Sequence, residues 1–247
     1  MHPAATRLEA VALVRSGHTV SSVARQLALP ASTVRDWVTG RTTGPLDECP
    51  RCTGASVPEG PYAALLGYYL GDGCISHAPR YDVLRISCDA RLPGIVAGVS
   101  QVLREVRPTG KVFHVSGPGT IVVQGHWKHW TCLFPQHGPG RKHERVIALE
   151  PWQQEIVERH PGPFLRGLFH SDGCRAHNWT TRRVGGEPKR YEYPRWQFSN
   201  RSEDILGLCT WALDLVDVPW RRSGRWCVSV SRRAGVARLD ELVGPKR

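Results

Sequence analysis

Two aspartates, Asp72 and Asp172, close two apolar stretches that read almost alike. Residues 65–73 are LLGYYLGDG and residues 165–173 are LRGLFHSDG, followed by Cys74 and Cys174. Aligned without gaps, leucine, glycine, aspartate, glycine and cysteine recur at matching places, which marks an internal repeat. Each stretch carries small residues four apart, Gly67 with Gly71 and Gly167 with Ser171. Residues four apart share one face of a helix, and small groups there let two backbones approach closely. The glycine after each aspartate suits the left-handed residue that ends many helices, which puts each carboxylate where the helix dipole opposes negative charge. Two such ends pressed together would gather repelling carboxylates and carbonyls unless a cation lay between them, and a hard divalent ion such as Mg²⁺ takes oxygen ligands of this kind. An ordinary core helix with an Asp-Gly cap explains either stretch alone but not their pairing.

The rest of the chain must bring these ends together. Its 247 residues carry 33 Lys and Arg against 22 Asp and Glu, a formal +11. The excess is uneven: +1 over residues 1–60 (6 basic, 5 acidic), +3 over 61–160 (11 and 8) and +7 over 161–247 (16 and 9). With no apolar run of about 18 residues, such a surface favours a polyanion, and nucleic acid is the expectation over a membrane. Scattered cysteines suit reduced thiols, and the N-terminus lacks the apolar core of a secretory signal, so a cytoplasmic protein is expected. The charge is densest where the second repeat has the longer hairpin: 23 residues separate Cys174 from Gln197, against 12 from Cys74 to Ile86. That insertion interleaves Arg182, Arg183, Lys189, Arg190 and Arg195 with Tyr191, Tyr193 and Trp196, and Arg221, Arg222 and Arg225 form a second cluster between Trp220 and Trp226. Arginines suit phosphates and guanine edges. A charged hairpin face in water is the alternative.

Upstream, apolar residues recur at helical spacing from Leu8 to Val38 and break at Gly17 and at Leu29-Pro30, which predicts three short helices within residues 1–40. Ala24 and Ala28 with Val34 and Trp37 resemble a helix-turn-helix, in which small residues let the third helix cross the second closely. Ser32, Thr33 and Arg35, with Asp36, would then lie at the exposed start of a DNA-recognition helix. A plain three-helix bundle has the same periodicity. Residues 41–60 are rich in Gly, Pro, Ser and Thr and read as a linker. Inside it, Cys49 and Cys52 have the spacing of half a zinc site. A full Zn²⁺ site would need distant recruits such as Cys74 or His77, so a turn with free thiols is expected instead.

The doubled motif resembles the LAGLIDADG motif of homing endonucleases, in their single-chain form, over about residues 61–247. The resemblance implies an α+β fold of two pseudo-symmetric αββαββα halves, about 61–150 and 151–247, whose motif helices pack together while the strands form a saddle over double-stranded DNA. The coarse pattern agrees: strand-like segments 74–76, 82–88, 111–115 and 120–124 surround a helix-like 93–106. In the second half, strand-like 179–183, 191–200, 220–222 and 225–231 surround helix-like 203–216, with a closing helix near 236–243. The resemblance further implies a metal-dependent, site-specific double-strand cut. Asp72 and Asp172 would be the catalytic metal ligands, the carbonyls of Gly71 and Ser171 would also reach the metal, and Mg²⁺ or another divalent cation would be the cofactor. Lys142, in GPGRKHER, is a candidate to support the transition state, a solvated surface lysine being the alternative. Leu70 and His170 replace the acidic residue at the sixth motif position, which is not the family's metal ligand. A noncatalytic transcriptional regulator derived from such an enzyme is the rival reading, and an RNA splicing cofactor a third; the presence of both aspartates favours the enzyme. Two repeats in one chain imply a monomer whose internal pseudo-twofold axis replaces that of a dimer.

Overall fold

The computed structural model describes residues 4–39 and 49–246, and the chain divides into two compact units, 1–56 and 57–247. Residues 41–48 of the expected linker lie outside the described residues. The smaller unit holds α1 (Ala4–Arg15), α2 (Val20–Gln26) and α3 (Ala31–Val38). Gly17 turns the chain between the first two at φ +102°, and the Thr19 hydroxyl caps α2 by accepting from the Ser22 N–H at 3.2 Å. Ala10, Val23, Ala24 and Val34 form the core, with Leu13, Val20 and Trp37 packed around them. Ala24 is the small residue on α2. Ala28 is not on that helix: it sits exposed in the turn before α3 at φ +51°, so the expectation that it helps α3 cross closely is corrected. A short α4 (Pro50–Thr53) follows.

The larger unit runs through α5 (Glu59–Leu70), β1 (Gly73–Ala78), β2 (Tyr81–Asp89), α6 (Pro93–Val106), β3 (Val112–Gly117), β4 (Thr120–Trp127) and α7 (Trp130–Leu133). A connecting α8 (Pro151–Arg159) leads into α9 (Pro161–Asp172), β5 (Gly173–Val184), β6 (Glu187–Ser199), α10 (Glu203–Asp214), β7 (Arg221–Gly224), β8 (Cys227–Val230) and α11 (Arg233–Val243). Helix α5 thus starts two residues inside the expected linker. Each half builds one four-stranded antiparallel sheet, in the orders β1-β2-β4-β3 and β5-β6-β8-β7, so the sequence repeat is also a repeat of topology. Alternation along the strands turns Ile75, Leu84 and Ile86 of one sheet, and Phe198, Val228 and Val230 of the other, into the core. The opposite faces remain for solvent or a partner.

The two sheets are joined through α5 and α9. Nine consecutive residues of α5, from Tyr62 to Leu70, are buried, so this helix has no polar stripe, as expected of one enclosed on all sides. The approach is backbone to backbone. A Cβ added at Gly67 would collide with the Phe164 carbonyl and lie 2.9 Å from the Leu168 nitrogen; one at Gly167 would collide with the Ala64 carbonyl and lie 2.7 Å from the Tyr68 nitrogen.

Candidate active site

One turn beyond that crossing, both helices end side by side. Gly71 caps α5 and Asp72 follows it, while Asp172 is the last residue of α9. A Cβ on Gly71 would lie 2.9 Å from the Ser171 hydroxyl oxygen and 3.3 Å from Asp172 Oδ2, so the small residue is what admits the second carboxylate. Gly73 and Gly173 differ from the sequence expectation. Neither adopts a left-handed conformation; Gly173 is extended at φ −91°, ψ 156°. Their lack of a side chain serves packing instead, because a Cβ would strike the backbone of Tyr69 or Phe169, one turn back in the same helix. Each glycine starts a strand directly, which fixes the aspartate between helix end and sheet.

Each helix end carries a lysine. Lys142 Nζ donates to the carbonyls of Tyr69, Leu70 and Gly71 at 2.6, 2.8 and 2.6 Å. Lys246 Nζ donates to those of Ser171 and Gly173 at 3.0 and 2.7 Å. Both ammonium groups thus meet the negative ends of the helix dipoles. Lys246, in the tail VGPKR, carries no sequence signal of this role. Burial lowers both amines, Lys142 to about 8, against the pull of the two aspartates. Asp72 keeps one side open to solvent, yet the protein crowding its other sides, and then the charge of Asp172, push it up to about 6. Burial also raises Asp172, opposed by the hydrogen bond from Asn200 Nδ2 at 2.7 Å. Raised acids beside lowered amines are the signature of charge held in a confined place.

Polar groups buried in the connection position the Lys142 loop. Tyr62 on α5 donates to the Leu133 carbonyl at 2.5 Å, and Gln153 on α8 donates to the Tyr62 oxygen at 2.7 Å. Gln136 bonds Gln153 and the Ala148 carbonyl, and Arg145 ties the loop to the Gly140 carbonyl at 2.7 Å.

The donor set at the paired helix ends suits a hard divalent ion: two carboxylates and the carbonyls of Gly71 and Ser171, each carbonyl with a second lone pair beyond the one its lysine uses. The Ser171 hydroxyl is buried at the same place without a partner among the described residues, an orphaned group of the kind that an ion or its water would satisfy.

The basic residues expected on the hairpins divide between two faces. Pairing of Gly173 with Phe198 and of Arg182 with Lys189 puts Arg182, Lys189, Arg195, Tyr191 and Tyr193 on the face away from the helices. Arg183 and Arg190 fall on the other face, where Arg190 bridges to Glu192 at 2.8 Å and covers the Trp179 ring. Arg221 lies with the outward set. Arg222 turns toward α10 and pairs with Glu203 at 2.5 Å, while Arg225 in the turn stacks on Trp226. The outward face of the first sheet supplies residues that the sequence reading missed: Arg85 with Ser76 and Gln124, and His126 stacked between Tyr81 and Phe113. In the smaller unit, Ser32 and Arg35 are exposed on α3, and Thr33 and Asp36 are half-buried.

Cys49 is buried as the N-cap of α4 and Cys52 is half-buried within it. The recruits named for a full site, Cys74 and His77, belong to the larger unit. Cys74 is exposed, and the His77 ring is bonded to Asp82 at 2.5 Å. That unit holds a different thiol–imidazole pair, His129 Nδ1 and Cys132 Sγ, 3.4 Å apart. No helix among the described residues is long and apolar enough to cross a membrane.

Residues 1–46 match the model of a homeodomain-like domain. Among solved structures, the chain is similar to I-DmoI in complex with DNA and Mn, at 13% identity and TM-score 0.49, covering 76% of this chain and 98% of that one. It is similar also to the homing endonuclease I-WcaI bound to its DNA recognition sequence, at 12% identity and TM-score 0.48, covering 83% and 89%. The LAGLIDADG meganuclease I-AabMI bound to uncleaved DNA follows at 13% identity and TM-score 0.43, covering 73% and 82%. No curated protein matches the chain.

Proposed function

We propose that this chain is a divalent-cation-dependent, site-specific endonuclease acting on double-stranded DNA, working as a monomer with an internal pseudo-twofold axis. The observation that carries this reading is the pair of carboxylates, Asp72 and Asp172, at matched ends of two helices in backbone contact, each end holding a lysine. Asp72, Asp172 and the Gly71 and Ser171 carbonyls would hold Mg²⁺ or a similar ion. Such an ion, when bound, activates water and relieves charge on the phosphorus.

The protein's own groups do the rest. Lys142 and Lys246 hold positive charge within reach of a phosphate seated over the helix ends, and lysines placed before the reaction stabilise charge as it develops there. Asn200 fixes the direction of the Asp172 carboxylate. The outward faces of the sheets present Arg85, Gln124, Arg182, Lys189, Arg195 and Arg221 to the duplex, and the exposed start of α3, with Ser32 and Arg35, offers a second reading element. Cys49 and Cys52 would supply two thiolates to Zn²⁺; metal content of the purified protein, and its change in Cys52→Ser, measures it.

Incubating supercoiled plasmid that carries a binding-selected site with Mg²⁺ tests the reading. The wild type should cut and Asp72→Asn or Asp172→Asn should cut at least 100-fold more slowly. DNA binding with no cleavage by the wild type, or equal cleavage by the variants, overturns it and leaves the noncatalytic regulator.

A further inference from the structure

We infer that the two carboxylate sites are chemically unequal, and that the enzyme cuts one strand well ahead of the other, releasing nicked DNA as its main early product. The inference rests on the endonuclease reading above. Strand register supplies the comparison. Gly73 pairs with Ile86 and Gly173 with Phe198, so Ile86 and Phe198 are equivalent. Two residues on, Asn200 corresponds to Cys88, and one further, Arg201 corresponds to Asp89.

These two exchanges fall beside the aspartates. Asn200 donates to Asp172 Oδ2 at 2.7 Å, whereas its counterpart Cys88 is a buried thiol that donates to the Ile86 carbonyl at 3.9 Å, so it leaves the Asp72 carboxylate without that support. The cavities differ in the same sense. The one holding Asp172 measures about 570 Å³ and is lined by Arg141, Lys142, Arg145 and Arg201, with Asp172 its only acidic residue among the described residues. The one holding Asp72 measures about 210 Å³, and its charged lining is Lys246 against Asp72 and Asp89. Asp89 is itself held by Arg91 at 2.7 Å, and Arg91 does not line the cavity.

Hydrolysis adds water across a P–O bond: the water oxygen joins phosphorus, the bond to the sugar oxygen breaks, and that oxygen leaves with a proton. Negative charge builds on the phosphoryl oxygens on the way. Both lysines act on both aspartates, so the difference lies in the rest of the lining: three arginines meet that charge in the larger cavity, and a second carboxylate, Asp89, opposes it in the smaller. The larger cavity also has room for a phosphate with its sugar, and its aspartate is already oriented. Asn200 is a positioning residue in this scheme, and Arg201 a cation that the first half lacks.

The test uses the full chain and a supercoiled plasmid carrying a binding-selected site, with Mg²⁺. Nicked circle should form at least tenfold faster than linear DNA, with the nick on one strand by sequencing. The double variant Cys88→Asn, Asp89→Arg copies the larger site into the smaller and should speed the second cut several-fold, a gain that loss of folding cannot mimic. Asn200→Cys should slow the first cut while binding of the same duplex in Ca²⁺, read by fluorescence anisotropy, stays within threefold of wild type. Linear DNA formed without a nicked intermediate, or no gain in the double variant, overturns the inequality alone. Absence of any cut by the wild type overturns the endonuclease reading instead.

Discussion

Replacing Gly67 by alanine asks whether two helix backbones touch as closely as they must for Asp72 and Asp172 to share a site. The new methyl would collide with the Phe164 carbonyl and lie 2.9 Å from the Leu168 nitrogen and 3.0 Å from the Gly167 Cα. Carbon contacts ordinarily settle at about 3.5–4.0 Å, so α5 and α9 would have to part by roughly 1 Å, which forfeits up to about half of each dispersion contact along the seam. The obstructing atoms are backbone, and no rotamer change relieves them. Overpacking of this kind costs about 1–3 kcal/mol, the loosened seam adds about 1–2 kcal/mol, and the helix preference of alanine returns about 1 kcal/mol. The net, about 1–4 kcal/mol, lowers Tm by about 2–16 °C for a unit of this size. Gly207 on α10 is the control, because a methyl there meets nothing within 4 Å. Gly207→Ala should raise Tm by about 2–4 °C, the propensity gain alone. Calorimetry on both variants gives opposite signs if the seam is real. A Tm for Gly67→Ala at or above wild type would refute the reasoning, and with it the shared carboxylate site.

Asp240 on α11 accepts from Arg175 at 2.8 Å through both oxygens and from Trp196 Nε1 at 2.7 Å, so Asp240→Ala should cost about 2–3 kcal/mol by stranding two donors. The Arg175 bond holds this carboxyl below its ordinary value; its contribution is therefore complete above the unfolded value near 3.8 and lost as pH falls through the lower folded one. Urea melts at pH 7 and pH 3 should show the wild type losing its advantage over Asp240→Ala only at the acid end. On DNA, Arg182→Ala and Lys189→Ala should each reduce the slope of log K against log salt by about 0.9, whereas Arg222→Ala, whose charge is committed to Glu203, should leave the slope unchanged. Lys142→Met should lower the cleavage rate by about 10²-fold or more while moving Tm by less than the Gly67 variant, because Tyr69 and Gly71, two of the three residues whose carbonyls it leaves, line a cleft that water can enter.

What the sequence disclosed, and what it hid, follows from the range of the signals involved. Helix α6 was readable over its whole length because Pro93 starts it and its buried residues, Ile95, Val99, Leu103 and Val106, recur at helical spacing. Helix α5, buried on all sides, has no such stripe, and only its likeness to α9 revealed it. Helix α8 was missed: PWQQEIVER reads as polar, and Gln153 is buried only because Tyr62 and Gln136, distant in sequence, satisfy its amide. The division of the basic hairpin into two faces was within reach. Gly185 and Gly186 take φ +63° and +91°, as a two-residue hairpin turn requires, and that turn sets Val184 opposite Glu187. Counting back from it separates Arg182 and Lys189 from Arg183 and Arg190 without any coordinates. Lys246 had no local signal, because its role depends on where the tail after α11 lands. The exchanges of Cys88 for Asn200 and Asp89 for Arg201 needed the register of both hairpins, since the second is longer and an ungapped alignment of the repeats slips past them. Residues that the halves share make the scaffold and the two carboxylates. Where the halves differ, beside those carboxylates, each site acquires its own charge, and that difference is what a strand-by-strand cleavage assay reads.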